Sequence, residues 1–358
     1  MISVLREQVK AKSMDIPYSH VENIKLNQYT KDARVQQADS HRAILCIVPK
    51  RLRKPHWERL PYATVLKQRY QRQQRHDRHA TRLATDLPNK TGTHVLLQAI
   101  DPQADTFELL TTARTLAAAL RTHNPGSVLL QLAGFEDATA ARLVEAVVAA
   151  LLAAACPMPC YKSKPDKPAA LKRIDIYGLA QKIDLSPVQA EISGNHLARW
   201  LSAMPANELT PAVYRKFVTE LAGKEGWKMK FLDSKSLARR QAGAFLAVAQ
   251  ASPVDDAGII HLSYRPGKRG GRKLALVGKG ICFDTGGVNV KPARYMNGMH
   301  EDMQGSAVAL GTLLALSRLR VEYPVDCWLA LAQNHIGSRA YKPNDVVTAS
   351  NGTTIEVR

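Results

Sequence analysis

Short apolar runs of strand length alternate with longer segments of helical period, and this alternation restricts the chain to an α/β arrangement. AILCIV at 43–48, HVLLQAI at 94–100 and SVLLQLAGF at 127–135 read as strands. Between and after them, HWERLPYATVLKQRYQRQ, FELLTTARTLAAALRTH and DATAARLVEAVVAALLAAAC read as helices, the first carrying Pro61 near its start and the last capped by Asp137. Such alternation of strands and helices argues for a largely parallel sheet. A Pro- and Lys-rich stretch, PMPCYKSKPDKPAALK at 157–172, breaks the pattern, and RIDIYGL follows as a short strand. A second α/β series then begins with the helix SGNHLARWLSAMP. TPAVYRKFVTELAGKEGW is a helix with Thr210 as N-cap and Pro211 at its first position. The expected organisation is a basic, polar, irregular extension over 1–40, an α/β domain over 41–180, and an α/β domain with a mixed central sheet over 181–358.

At 358 residues the chain can bury two cores. The longest apolar run, AVVAALLAAAC at 146–156, is too short to span a bilayer, and the first residues hold no signal-peptide core, so no membrane role is expected. Five thinly spread cysteines argue against a disulfide framework and for a reducing, cytoplasmic setting; Cys156 and Cys160 lack the further ligands a zinc knuckle needs. The net charge of +19 is concentrated early, with 19 Lys/Arg against 8 Asp/Glu in residues 1–90. One reading is an electrostatic footprint for nucleic acid in which Arg51, Arg53 and Lys54 take part. The other is a solvated helix face, favoured by the lack of any nucleic-acid-binding motif.

Chemistry concentrates later, in VGKGICFDTGGVNVKP (277–292) and MHEDMQGSAVALGTLLALSRLR (299–320). KLALVG reads as a buried strand with Lys279 at its carboxyl end, where open α/β sheets carry their sites. FDTGG turns the chain, and Asp302 stands at the start of the next helix. Lys279, Asp284, Lys291 and Asp302 thus converge at one sheet edge. On residue types alone, a turn aspartate, an N-capping aspartate and two snorkelling lysines are the simpler account. VDCWLALAQ is then a buried strand and VVTASNGTTIEV a hairpin around Asn351-Gly352.

The same segments, with LARWLSAMPANELTP, AGAFLAVAQAS, IIHLSYRP and NHIGSRAYKPNDVVTASNGTTIEV, resemble the leucyl aminopeptidase family, the hexameric two-metal cytosol aminopeptidases. The resemblance runs from about residue 40, and the four charged residues fit its pattern without a gap. It implies a homo-hexameric cytoplasmic peptidase that uses two divalent ions, Mn²⁺ or Zn²⁺, on peptides with a free N-terminus. By the same resemblance Lys279, as a neutral amine, Asp284 and Asp302 are metal ligands. Lys291 stays charged and polarises the scissile carbonyl. The family pattern continues past TIEV with Asn-Thr-Asp-Ala-Glu-Gly-Arg, which supplies two more carboxylate ligands and a catalytic arginine; this sequence ends at Arg358. The expectation is therefore a fragment or inactive form with weak metal binding and little peptidase activity by itself. A non-catalytic or nucleic-acid-binding family member is the alternative.

Overall fold

The computed structural model describes residues 19–164, 169–267 and 273–357. They divide into two compact units, 19–157 with 161–192 and 158–160 with 193–357.

In the first unit α1 (Ser19–Glu22), β1 (Lys25–Tyr29) and α2 (Val35–Asp39) precede β2 (Ala43–Pro49). Next come α3 (Lys54–Glu58), α4 (Ala63–His76), β3 (Arg82–Asp86) and β4 (His94–Ile100). The chain then alternates through α5 (Thr106–Arg121), β5 (Ser127–Leu132), α6 (Asp137–Ala155) and β6 (Arg173–Tyr177). The strand order is β1-β6-β5-β2-β4-β3, parallel throughout except for β3 against β4. The apolar character of the inner strands has a direct cause: they feed two cores. In β2, Ala43, Leu45 and Ile47 enter one core, with α5 and α6. Ile44, Cys46 and Val48 enter the other, with Trp57, Leu66 and Tyr70. Helix α6, at 19 residues, is long and apolar enough to cross a bilayer by length and composition, yet Leu143, Val144, Val147 and Leu151 are buried in the first of these cores.

Three expectations are corrected here. Residues 1–18 lie outside the described residues, but 19–40 are no irregular extension, because β1 pairs with β6 from Lys25↔Arg173 to Tyr29↔Tyr177. KLNQY gave no strand signal because its side chains sit half-buried or exposed at the sheet edge. The helix expected from His56 onward is two helices; between them Tyr62 takes a left-handed backbone at φ 55°. Asp137 is the first residue of α6 rather than its cap, a position that Glu136 fills. Of the Pro/Lys-rich stretch, 165–168 lie outside the described residues.

Helix α7 (Ser186–Ser202) opens the path to the second unit. There α8 (Pro211–Glu225), β7 (Lys228–Asp233), α9 (Ser234–Arg239), α10 (Gly243–Ala249) and β8 (Gly258–Tyr264) come first. They are followed by β9 (Leu274–Asp284), α11 (Ala293–Met296), α12 (Gln304–Arg318), β10 (Val325–Asn334) and the hairpin β11 (Val346–Thr348) and β12 (Thr354–Glu356). The sheet is mixed, in the order β7-β8-β10-β9, with β9 and β10 parallel and the other pairs antiparallel. The Thr210 hydroxyl accepts from Val213 N at 3.3 Å, capping α8, whose first residue is Pro211. Tyr214, Phe217 and Leu221 of α8 meet Leu310 and Leu314 of α12 over Ile260, Leu262 and Leu329 of one sheet face.

Strand β9 differs from its expected form. It is an edge strand with one face open, and it runs on to Asp284, so Lys279 lies mid-strand opposite Ala330. The residue at its carboxyl end is the aspartate.

Candidate functional site

Glycines set the site's geometry. A Cβ on Gly278 would collide with Ser306 Cα, and one on Gly280 would lie 3.0 Å from Ser306 Oγ. The bare backbone of β9 therefore lets the start of α12 rest directly on it. A 3₁₀ turn, Met299–Glu301, delivers Asp302 just ahead of that helix. Lys279 Nζ reaches Asp302 Oδ1 at 2.9 Å. Asp302 is not the cap of α12, since Met303 holds that position.

Beyond Asp284 the chain reverses through Gly286 and Gly287, at φ 89° and 71°, values that side-chain-bearing residues rarely adopt. Lys291 N then donates to Thr285 O at 2.9 Å, closing the loop and bringing Lys291 Nζ to 2.6 Å from Asp284 Oδ2. Asp284 Oδ1 accepts from Gly286 N at 2.9 Å and from Asn334 Nδ2 at 2.6 Å. Burial pushes the Asp284 carboxyl up, but the Lys291 ammonium, the Gly286 N–H and the Asn334 amide together outweigh it. They hold Asp284 below the usual carboxylate range.

The four predicted residues form two ion pairs, Lys279–Asp302 and Lys291–Asp284. Lys279 and Asp284 also line one cavity of about 420 Å³, with Asn334, Tyr341, Phe245 and Val277 among its walls. Asn334 was missed in the sequence. It ends β10, its carbonyl accepts from the Thr285 N–H and hydroxyl, and its amide also lies 3.1 Å from Tyr341 Oη. An asparagine leaving a strand has no pattern of its own; only its pairing opposite Asp284 reveals it.

A donor set for a divalent ion needs lone pairs not already committed. Asp302 Oδ2 and Asn334 Oδ1 are both buried and accept no hydrogen bond. Buried polar atoms are seldom left so, and an unsatisfied carboxylate oxygen beside an amine suits a cation. Among the described residues no group of three or more His, Cys, Asp or Glu forms a cluster of ligands. Arg51, Arg53 and Lys54 lie in the other unit, exposed around the start of α3, where Lys54 pairs with Glu58 at 3.8 Å.

A model of the cytosol aminopeptidase family catalytic domain matches residues 196–358, the segment that holds all four charged residues. Residues 196–358 thus carry the signature of a cytosol aminopeptidase family catalytic domain. A probable cytosol aminopeptidase of Prochlorococcus marinus is 36% identical over 275 residues, 76% of this chain and 56% of that protein. One from Synechococcus elongatus is 40% identical over 199 residues, 55% of this chain and 41% of that protein. The chain therefore spans about half the length of the curated relatives it matches. A mutant of tomato leucine aminopeptidase superposes with a TM-score of 0.79 at 25% identity, over 93% of this chain and 67% of the tomato chain. Within this cytosol aminopeptidase fold, the glycine-lined contact of β9 with α12 and the loop closed by Lys291 frame the charged pairs.

Proposed function

We propose that the charged locus of 279–302 is part of the metal centre of an aminopeptidase acting on peptides with a free N-terminus. Lys279, Asp284 and Asp302 would hold divalent ions such as Mn²⁺ or Zn²⁺, with Lys279 donating through its neutral amine. The observation that carries this reading is the buried, unpartnered Asp302 Oδ2 beside Lys279 Nζ. When bound, divalent ions supply Lewis-acid polarisation and a water made nucleophilic at neutral pH.

The chain's own residues do the rest. Lys291, held by Asp284 and 3.3 Å from Met299 Sδ, offers an ammonium in a partly desolvated loop, where it stabilises negative charge growing on a scissile carbonyl oxygen. Asn334 fixes the rotamer of Asp284 through a 2.6 Å hydrogen bond. The apolar walls contributed by Phe245 and Val248 limit water beside Asp284.

Isothermal titration with Mn²⁺ tests the reading. With two carboxylates and one amine, binding should be weak and should be lost in both Asp302→Ala and Asp284→Ala. Release of leucine from Leu-p-nitroanilide, where measurable, should require the metal and should fall in Lys291→Ala without loss of metal binding. Metal binding untouched by both aspartate substitutions would sink the assignment.

A further inference from the structure

In the first unit, neighbouring parallel strands send the chain out over opposite faces of the sheet. Strands β1 and β2 lead into α2, α3 and α4, which pack on one face through Ala38, Trp57 and Leu66. Strands β5 and β6 lead into α6 and α7, which pack on the other through Val144 and Val188. In the order β1-β6-β5-β2 the exit therefore reverses between β1 and β6 and again between β5 and β2. Open α/β sheets hold small molecules outside the carboxyl ends of their strands at such reversals.

A cavity of about 720 Å³ lies between the loop that leaves β1 and the α3–α4 connection. Small-molecule sites span roughly 300–1,000 Å³. Its base is built from buried and paired groups. Gln131 of β5, fully buried, accepts from Ala33 N at 2.7 Å and donates to Asp32 at 2.9 Å. Asp32 holds Arg59 through Nε and Nη2, both at 3.1 Å, and Arg59 Nη2 also reaches Gly178 O, just past β6, at 3.3 Å. The carboxylates of the wall are thus engaged, Asp32 by Arg59 and Glu58 by Lys54 at 3.8 Å. Lys31 and Arg34, both exposed, have no ion-pair partner among the described residues, so the cavity presents uncompensated positive charge. Val35, 45% exposed, and Val65 give it an apolar wall beside those cations. Tyr62, in the same lining, holds the left-handed backbone at φ 55°, a conformation that bulky residues rarely adopt and that gathers at ligand sites.

We propose that this cavity binds a small phosphate-bearing molecule with an apolar or planar body, the chemistry of a nucleotide. Its phosphate meets Lys31 and Arg34, and its body lies against Val35 and Val65. Phosphate oxygens take charge-assisted hydrogen bonds from both cations, and the Arg34 guanidinium can offer two parallel N–H groups. The valines favour a ligand with surface to desolvate over free phosphate. This binding goes beyond the peptidase reading and involves residues of the other unit. It is read without metal or hydrolysis, so its failure leaves that reading standing.

Isothermal titration of the chain in EDTA with AMP, inorganic phosphate and adenosine tests the assignment. AMP should bind saturably at one site, phosphate at least about tenfold more weakly, and adenosine not measurably. Lys31→Ala and Arg34→Ala change exposed side chains and should leave the far-UV circular dichroism intact, while each weakens AMP binding by about tenfold. Val35→Asp, which sets a carboxylate beside the phosphate, should abolish it. Arg72→Ala removes an equally exposed cation of α4 outside the cavity and should leave the affinity unchanged. No binding of AMP at millimolar concentration overturns the proposal, as does phosphate bound as tightly as AMP. It is equally overturned if Arg72→Ala weakens AMP as much as Arg34→Ala, since the attraction then belongs to the basic surface at large.

Discussion

Asp284 and Asp302 are the same side chain in opposite states of commitment. Asp284 accepts from three donors, whereas Asp302 has one oxygen on Lys279 and the other buried without a partner. Asn334 therefore offers an informative substitution. Asn334→Asp replaces a donor to Asp284 with a second carboxylate, which should cost about 1–3 kcal/mol of stability in metal-free buffer. With Mn²⁺ the added carboxylate should strengthen binding, so urea unfolding with EDTA and with Mn²⁺ should move in opposite directions. The two lysines and two aspartates were singled out because their order and spacing resemble a known family pattern; Asn334 was not, because its contact with Asp284 exists only across a strand pairing. A second residue-scale prediction concerns Asp326. Burial pushes its carboxyl up, but Arg265 at 2.6 Å, His261 at 2.7 Å and Ser263 at 3.0 Å outweigh it and lower its pKa below the ordinary 3.8. A carboxyl lowered on folding contributes stability that is fully present above its unfolded pKa and lost as pH falls through the folded value. Acid titration of stability should therefore show a loss below about pH 4 that flattens in Asp326→Asn.

Helix placement in the second unit depends on close backbone approach. Gly194 of α7 and Gly311 of α12 face each other so closely that a Cβ on either would strike the other's carbonyl oxygen. Such contacts cannot relax by moving a side-chain tip, so Gly311→Ala should destabilise by about 1–3 kcal/mol. Gly223 is also helical, in α8, but has nothing within 4 Å of a built Cβ; Gly223→Ala should stabilise by about 0.4–1 kcal/mol. Urea denaturation of the two variants should thus give opposite signs for the same chemical change. These elements also show what the sequence conveys. β2, β4 and β5 were legible because two-sided burial makes them mostly apolar over a strand's length. β1 was not, since a polar edge strand is defined by its partner β6 rather than by its own residues. β9 was found but misjudged: its glycines and apolar residues suggested burial, whereas half of them face α12 and the others stand on an open face.

Division into two units makes the effect of metal a question about the whole molecule. All four charged residues lie in 193–357, so an ion held there binds residues of the second unit. Linkage then stabilises the unit that holds the ion, by about 2.7 kcal/mol when free metal is a hundred times the dissociation constant. The tryptophans separate the two responses, because Trp57 lies in the first unit and Trp200, Trp227 and Trp328 lie in the second. In Trp57→Phe, the thermal transition seen by fluorescence reports only the second unit and should rise in temperature with added Mn²⁺. In the variant that keeps Trp57 and replaces the other three by Phe, the transition should not respond to the metal. Asp302→Ala should abolish the first response, since it removes the oxygen that has no other partner. A metal shift seen equally through Trp57 would mean either that the units unfold as one or that the ion is held elsewhere. The Asp302→Ala variant distinguishes these two outcomes: the shift disappears in the first and persists in the second.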